Sequence, residues 1–261
     1  MIKVIKKNKK FINNKKILIS IITVVLNGEK HLAKTIKSVL NQKYTNFEYI
    51  IIDGKSNDST MKIIRRFSKN IDYVISEKDN GIYDAVNKGI SVAKGDVIGI
   101  INSDDVYSPL ALSYVEKYFS LNKNIDFLFG TVKKHWKIIS GYTPWTIRFS
   151  WNFYTSHSVG FFIKLKSAKR IGNYNLLYKY SSDFDYFYRM IVKHKMTGIA
   201  SQRNEVFGVF RRGGFSSKVN FIDHLAELTK IRLNNGQNRI LVLIIMILKY
   251  IKNFNRLLNN S

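Results

Sequence analysis

The chain of 261 residues contains no cysteine and only two prolines. It therefore has neither a disulfide framework nor a thiolate metal site, and a collagen-like or proline-rich extended rod is excluded. Lack of cysteine fits a reducing compartment. Acidic residues are scarce as well: 18 against 43 Lys and Arg, a net charge of +25. Such an excess attracts anionic partners, whether nucleic acid, phosphorylated ligand or lipid headgroup. No uninterrupted apolar run exceeds the nine residues 240–248. As a helix these rise about 14 Å, short of the roughly 30 Å of a bilayer core. What is present is a globular composition, 45% hydrophobic and 13% aromatic, in a chain long enough to bury a substantial core.

The charge is unevenly spread. Residues 1–16 hold seven lysines and no acid, without the long apolar stretch of a cleavable signal, and read as a basic N-terminal arm. From Leu228 to the end come six more basic residues, again without an acid, flanking the 240–248 run. Residues 221–261 are therefore expected to form a C-terminal helical, membrane-associating segment, a basic amphipathic helix lying in the plane of an anionic membrane surface.

Between these ends, residues 17–220 read as one domain. Residues 17–26 form an Ile- and Val-rich run typical of a strand covered on both faces. Leu32, Ile36, Val39 and Leu40 then repeat at helical spacing, and a second strand over 48–52 ends abruptly at Asp53 and Gly54. A helix containing Met61, Ile64 and Phe67 follows, then a strand over 72–76, a helix over 83–93, and a strand over 97–101 that runs into Asn102, Ser103, Asp104 and Asp105. This alternation implies an α/β fold with a mainly parallel sheet, whose ligands bind beyond the carboxyl ends of the strands. Two of those ends carry aspartates. Adjacent carboxylates such as Asp104 and Asp105 repel unless a proton or cation compensates, and a hard divalent ion shared with substrate phosphates is a common solution.

In order along the chain, the opening strand to Thr23, SVLNQ (38–42), YIIIDGKSNDST (49–60), EKDNGIYDAVNKGISVAKG (77–95) and NSDD (102–105) resemble the family 2 glycosyltransferases of bacterial surface-polysaccharide synthesis. The resemblance implies the GT-A fold, a Rossmann-like, mainly parallel sheet flanked by helices. It implies a nucleotide-sugar donor, with uracil the expected base, and a Mg²⁺ or Mn²⁺ cofactor. By the same resemblance Thr23 and Asp53 contact the nucleobase, Asp104 the ribose or donor sugar, and Asp105 the metal, while Asp79 and Asp84 line the donor side.

In the second half, the SSDFD stretch at 181–185 resembles the family's acidic motif, which makes Asp183 the catalytic base; its other reading is the N-cap of the following helix. His157, ahead of Phe161 and Phe162, resembles the histidine at the acceptor pocket, and RRGGFS (211–216) the loop in which Arg212 closes on phosphates. Trp136, Trp145, Trp151, Tyr142 and Tyr154 suit a sugar-stacking wall or, more commonly, a core. The expected reaction is a metal-dependent, inverting hexosyl transfer to a saccharide or lipid-linked saccharide at the cytoplasmic face of the inner membrane. Two alternatives differ in class: a catalytically inactive scaffold, and a basic nucleic-acid-binding protein. The second would interleave basic and aromatic residues on one face, whereas here the excess sits at the termini, so no nucleic-acid partner is expected.

Overall fold

The central strands of this chain are apolar on both faces, and each face has a core to enter. A computed structural model describes residues 5–6, 16–134, 136–149, 154–211 and 220–253. Its first half runs β1 (Ile5–Lys6), β2 (Ile19–Val25), α1 (Leu32–Leu40), β3 (Phe47–Asp53), α2 (Thr60–Arg66), β4 (Tyr73–Ser76), α3 (Ile82–Val92) and β5 (Val97–Asn102). In β2, Ile22 and Val24 join one hydrophobic cluster with Tyr83, Ala85 and Val86 of α3, while Ile19, Ile21 and Val25 join the opposite one with Leu32, Ile36 and Val39 of α1. The continuous run of residues 17–26 is thus explained: successive side chains alternate between two buried layers.

The second half runs β6 (Val106–Tyr107), α4 (Ala111–Leu121), β7 (Phe127–Phe129), β8 (Thr131–Lys134), β9 (Lys137–Ile139), β10 (Phe161–Lys164), α5 (Leu165–Ile171), α6 (Ser182–Tyr188), β11 (Gly198–Ala200), β12 (Val206–Phe210), α7 (Phe221–Asn234) and α8 (Arg239–Lys252). The main sheet has the order β1-β4-β3-β2-β5-β10-β7-β11. β4, β3, β2 and β5 are mutually parallel, whereas β1 and β10 enter antiparallel. A second sheet, β6-β12-β8-β9, carries β12 back beside the turn that follows β5.

Strand order reverses at β2: the chain moves outward through β3 and β4, then returns to place β5 on the other side of β2. The crevice at such a reversal is where open α/β sheets bind ligands. Register fixes which residues meet there, since Val25 pairs with Asp53, Asp53 with Ser76, and Val24 with Asn102.

Part of the expected basic arm, Ile5–Lys6, adds an edge strand to the sheet; the other lysines of that arm except Lys16 lie outside the described residues. The C-terminal segment forms two helices, α7 packed on α6 and α8 packed on α7. Arg232 of α7 is buried (1% exposed) and donates to the carbonyls of Arg148 and Ile147 and to Gln237 Oε1, with its guanidinium over the Phe184 ring. Among the described residues no helix is long and apolar enough to cross a membrane.

Candidate active site

Asp53 ends β3 fully buried, and its carboxylate is saturated. Ser56 donates through both its backbone N–H and its hydroxyl, and the Ser76 hydroxyl donates to Oδ2 at 2.5 Å. Gly54 follows, and a Cβ there would lie 2.4 Å from Asp79 Oδ2, so a larger residue would turn that carboxylate aside. Burial raises the pKa of Asp79, and its other oxygen accepts the Gly81 N–H at 3.0 Å. Gly81, at φ +110°, makes the left-handed turn into α3 that a side chain would strain. Asp84 in the first turn of α3 accepts the Asn80 N–H and pairs with Lys88, so both acids serve the helix start.

The turn after β5 is the second acidic centre. Asp105 is 1% exposed; its Oδ1 accepts the Arg211 N–H at 2.9 Å and its Oδ2 the Ser158 hydroxyl at 2.7 Å. The first contact spans more than a hundred residues and follows from register, because β12 runs antiparallel to β6 with Val209 opposite Val106. Burial pushes the Asp105 carboxyl up to about 7, with its two hydrogen bonds opposing the rise and Asp104 adding to it. Asp104 is half-buried at the mouth of the crevice. His31 stands near it: burial and Arg211 lower the His31 pKa, and Asp104 opposes them.

A chain of contacts leads from this turn to α6. His157, next to Ser158, sets its ring against Tyr83 (6.1 Å between centroids), Tyr174 (5.5 Å) and Phe187 (6.1 Å). Its Nε2 is buried with no hydrogen-bond partner among the described residues, and burial lowers its pKa, so the imidazole is neutral near pH 7. The Tyr83 hydroxyl donates to Asp183 Oδ1 at 3.2 Å, and the Tyr154 hydroxyl to Oδ2 at 3.4 Å. Asp183 is half-buried in the first turn of α6, whose N-cap is Ser181 rather than Asp183.

Residues 20–187, a stretch that contains Asp53, Asp105 and Asp183, match the family described as glycosyl transferase family 2. The chain belongs to that family. An uncharacterized glycosyltransferase of Mycobacterium tuberculosis (strain CDC 1551 / Oshkosh) is 29% identical over 217 residues, 75% of this chain and 82% of its own. A PGL/p-HBAD biosynthesis glycosyltransferase of Mycobacterium bovis (strain BCG / Pasteur 1173P2) is 26% identical over 204 residues, 74% of this chain and 78% of its own. Among solved structures, residues 1–349 of Staphylococcus aureus TarS in complex with UDP-GlcNAc superpose with a TM-score of 0.68 at 15% identity, covering 91% of this chain and 72% of that one. The mannosyltransferase PcManGT of Pyrobaculum calidifontis, in complex with GDP-Man and Mn²⁺, superposes at 0.65 and 15% identity, covering 91% and 70%. These likenesses establish the GT-A fold.

Within this family 2 glycosyltransferase, the sheet edge gathers Asp53, Asp79, Asp104 and Asp105, and the aromatic contacts join His157 and Asp183 to them. Thr23 is fully enclosed in β2, its Oγ1 3.0 Å from the Tyr49 hydroxyl, so it lies under the crevice floor. Arg212 and Trp151 lie outside the described residues. Among the described members of the expected aromatic wall, Trp136 and Trp145 stay out of the core, 92% and 67% exposed, while Tyr142 packs on Phe127 and Phe129 inside. Asp84 also lines a separate cavity of about 580 Å³, walled by Asn87, Tyr174, Asp185, Arg189 and Asn235.

Sequence reasoning missed Tyr83, Ser158, Ser76, His31 and Tyr154 as neighbours of the acids. Tyr83 and Ser158 each adjoin a residue already singled out, Asp84 and His157, and that adjacency was the available signal.

The donor set of the NSDD turn fits a hard divalent ion. It is all oxygen: Asp104, Asp105 with a carboxyl pKa lifted by burial, and the Asn102 Oδ1, buried without a partner among the described residues. Among the described residues no three or more His, Asp or Glu side chains converge as a metal site.

Proposed function

We propose that this glycosyltransferase moves a hexosyl group, with inversion, from a nucleoside-diphosphate sugar to a hydroxyl of a saccharide or lipid-linked saccharide in cell-surface polysaccharide synthesis. One observation carries the reading. The run Asp105–Ser158, His157–Tyr83, Tyr83–Asp183 joins the acidic turn at the switch point to a carboxylate on α6. The UDP-GlcNAc and GDP-Man bound by the two structural neighbours support a sugar-nucleotide donor, with a UDP-sugar the first to test.

In this reading Asp183 takes the proton of the acceptor hydroxyl as its oxygen attacks the anomeric carbon. The bond from that carbon to the diphosphate oxygen breaks on the opposite face, and the electron pair leaves with the nucleoside diphosphate. Tyr83 and Tyr154 aim both carboxylate oxygens, and the neutral His157 ring packs between Tyr83 and Phe187 without adding a charge that would pair with the base. Asp53 pins the turn at residues 54–56 on which the nucleoside rests, and Asp79 faces it across Gly54. Arg211 supplies positive charge beside His31 and Asp104, and Arg212 follows it in the sequence. A Mg²⁺ or Mn²⁺ held by Asp105, with Asp104 and Asn102 beside it, would neutralise charge on the departing diphosphate.

The test is a panel of sugar nucleotides assayed for nucleoside diphosphate release with and without Mn²⁺. The reading expects metal-dependent release from one donor class. Absence of release from every donor overturns it in favour of an inactive scaffold.

A further inference from the structure

Helix α8 is apolar on two sides, and only one of them is covered among the described residues. Val242 and Ile245 are buried, 2% and 5% exposed, where α8 packs on α7. On the other side Ile240, Leu243, Ile244, Ile247, Leu248 and Ile251 are 46–71% exposed. Their spacing, i, i+3, i+4, i+7, i+8, i+11, makes one unbroken stripe along the helix. A contiguous apolar patch of this kind on a soluble surface marks an interaction site.

Charge selects the occupant. The helix carries no acid; its exposed cations Arg239 and Lys252 border the stripe, while Lys249 turns inward toward Arg232 and His224. A second copy packed stripe to stripe would bring these cations together with no carboxylate on either α8 to offset them. An anionic bilayer offers what the helix lacks, hydrocarbon for the stripe and phosphate for the flanking cations. Fourteen residues rise about 21 Å, so the helix lies in the surface rather than across it.

The position of α8 gives the docking a consequence. α7, between α8 and α6, holds the segment before the base, since Glu227 accepts the N–H groups of Lys179 and Tyr180. His224 of α7 feels Lys249 of α8 on one side and Asp183 on the other: burial and Lys249 lower its pKa while Asp183 and Glu227 oppose them.

We propose that the outward stripe of α8 docks in the plane of an anionic lipid surface, at the cytoplasmic face of the inner membrane, and holds the Asp183 side of the glycosyltransferase against it so that the acceptor arrives lipid-linked. The acceptor class rests on Asp183 as base; the docking does not.

Full-length protein is floated with vesicles of phosphatidylcholine alone and of phosphatidylcholine mixed with phosphatidylglycerol. The double variant Leu243→Lys, Ile247→Lys runs in parallel. Wild type is expected to float with the mixed vesicles and remain below with the neutral ones. The variant has two more cations and two fewer apolar contacts, and is expected to bind more weakly by about tenfold or more. Equal or tighter binding by the variant means that attraction is electrostatic only and overturns the docking. Wild type left unbound by mixed vesicles overturns it too. A wild-type dimer in light scattering, abolished in the variant, assigns the stripe to a second copy and overturns it as well. Metal-dependent donor hydrolysis without vesicles, unchanged in the variant, tests the chemistry separately. Its absence from both proteins removes the enzymatic reading while leaving the flotation result standing.

Discussion

Asp105→Asn separates stability from activity in opposite directions. The Asp105 carboxyl is pushed from 3.8 up to about 7 by burial, roughly three units at 1.36 kcal/mol each, or about 4 kcal/mol. Its sign follows from which state keeps the proton. Below pH 4 both folded and unfolded chains hold it, and Asp105 costs nothing. Between pH 4 and 7 the unfolded chain releases it while the folded chain retains it, so stability falls as pH rises, and above pH 7 the loss is complete. Asparagine is nearly isosteric and uncharged, and its amide keeps one acceptor for the Arg211 N–H. Imperfect pairing of the new NH₂ with Ser158 returns about 1–3 kcal/mol of cost. The metal-free variant is therefore expected to be more stable than wild type at pH 8 by about 1–3 kcal/mol, several degrees in Tm for a chain of this size. Donor turnover in Mn²⁺ should nevertheless be lost. Urea unfolding of both proteins in chelator from pH 4 to 8 is the measurement. Subtracting the curves cancels His157 and His194, whose lowered values make stability fall in the other direction, toward acid. A variant less stable than wild type at pH 8, or one whose stability falls as steeply between pH 4 and 8, would refute the reasoning.

Three further outcomes follow from the same geometry. Asp183→Asn should keep donor affinity in a calorimetric titration and lower kcat about 10²–10⁴-fold; wild-type turnover places the base elsewhere. Gly54→Ala puts a Cβ 2.4 Å from Asp79 Oδ2, which the carboxylate escapes by turning aside, so it should change urea stability by less than about 1 kcal/mol while raising the donor KM; an unchanged KM places Asp79 away from the donor. Arg232→Met strands two acceptors, at Ile147 and Gln237, while the Arg148 carbonyl keeps the Gln237 amide, and it should cost about 2–3 kcal/mol in urea unfolding and expose the turn at 235–238 to protease. Unchanged stability means that α7 is held by its apolar residues alone.

Much of the strand and helix order was legible because it depends on periods a few residues long. The run at 17–26, the helical spacing of Leu32, Ile36 and Val39, and the strand that stops at Asp53 all appear where expected. The acidic turns stood out as polar ends on apolar strands. Side-chain direction was less legible. Thr23 falls within an apolar strand, and nothing local indicates whether its hydroxyl faces the crevice or Tyr49. Trp136 and Trp145 are exposed although their size favours burial, because Trp136 sits in the connection between β8 and β9 and Trp145 in the 3₁₀ turn at Pro144–Phe149, both on the surface.

The sequence by itself determined an α/β domain with carboxylates where its parallel strands end, since alternation of apolar runs and the chemistry of a turn are local properties. Only tertiary structure decided what those carboxylates meet. Arg211 reaches Asp105 because two short strands pair in one register, and Tyr83 reaches Asp183 because α3 and α6 pack on the same face of the sheet. Such meetings depend on register and rotamer across about a hundred residues, and a one-residue slip in a strand would turn each side chain away.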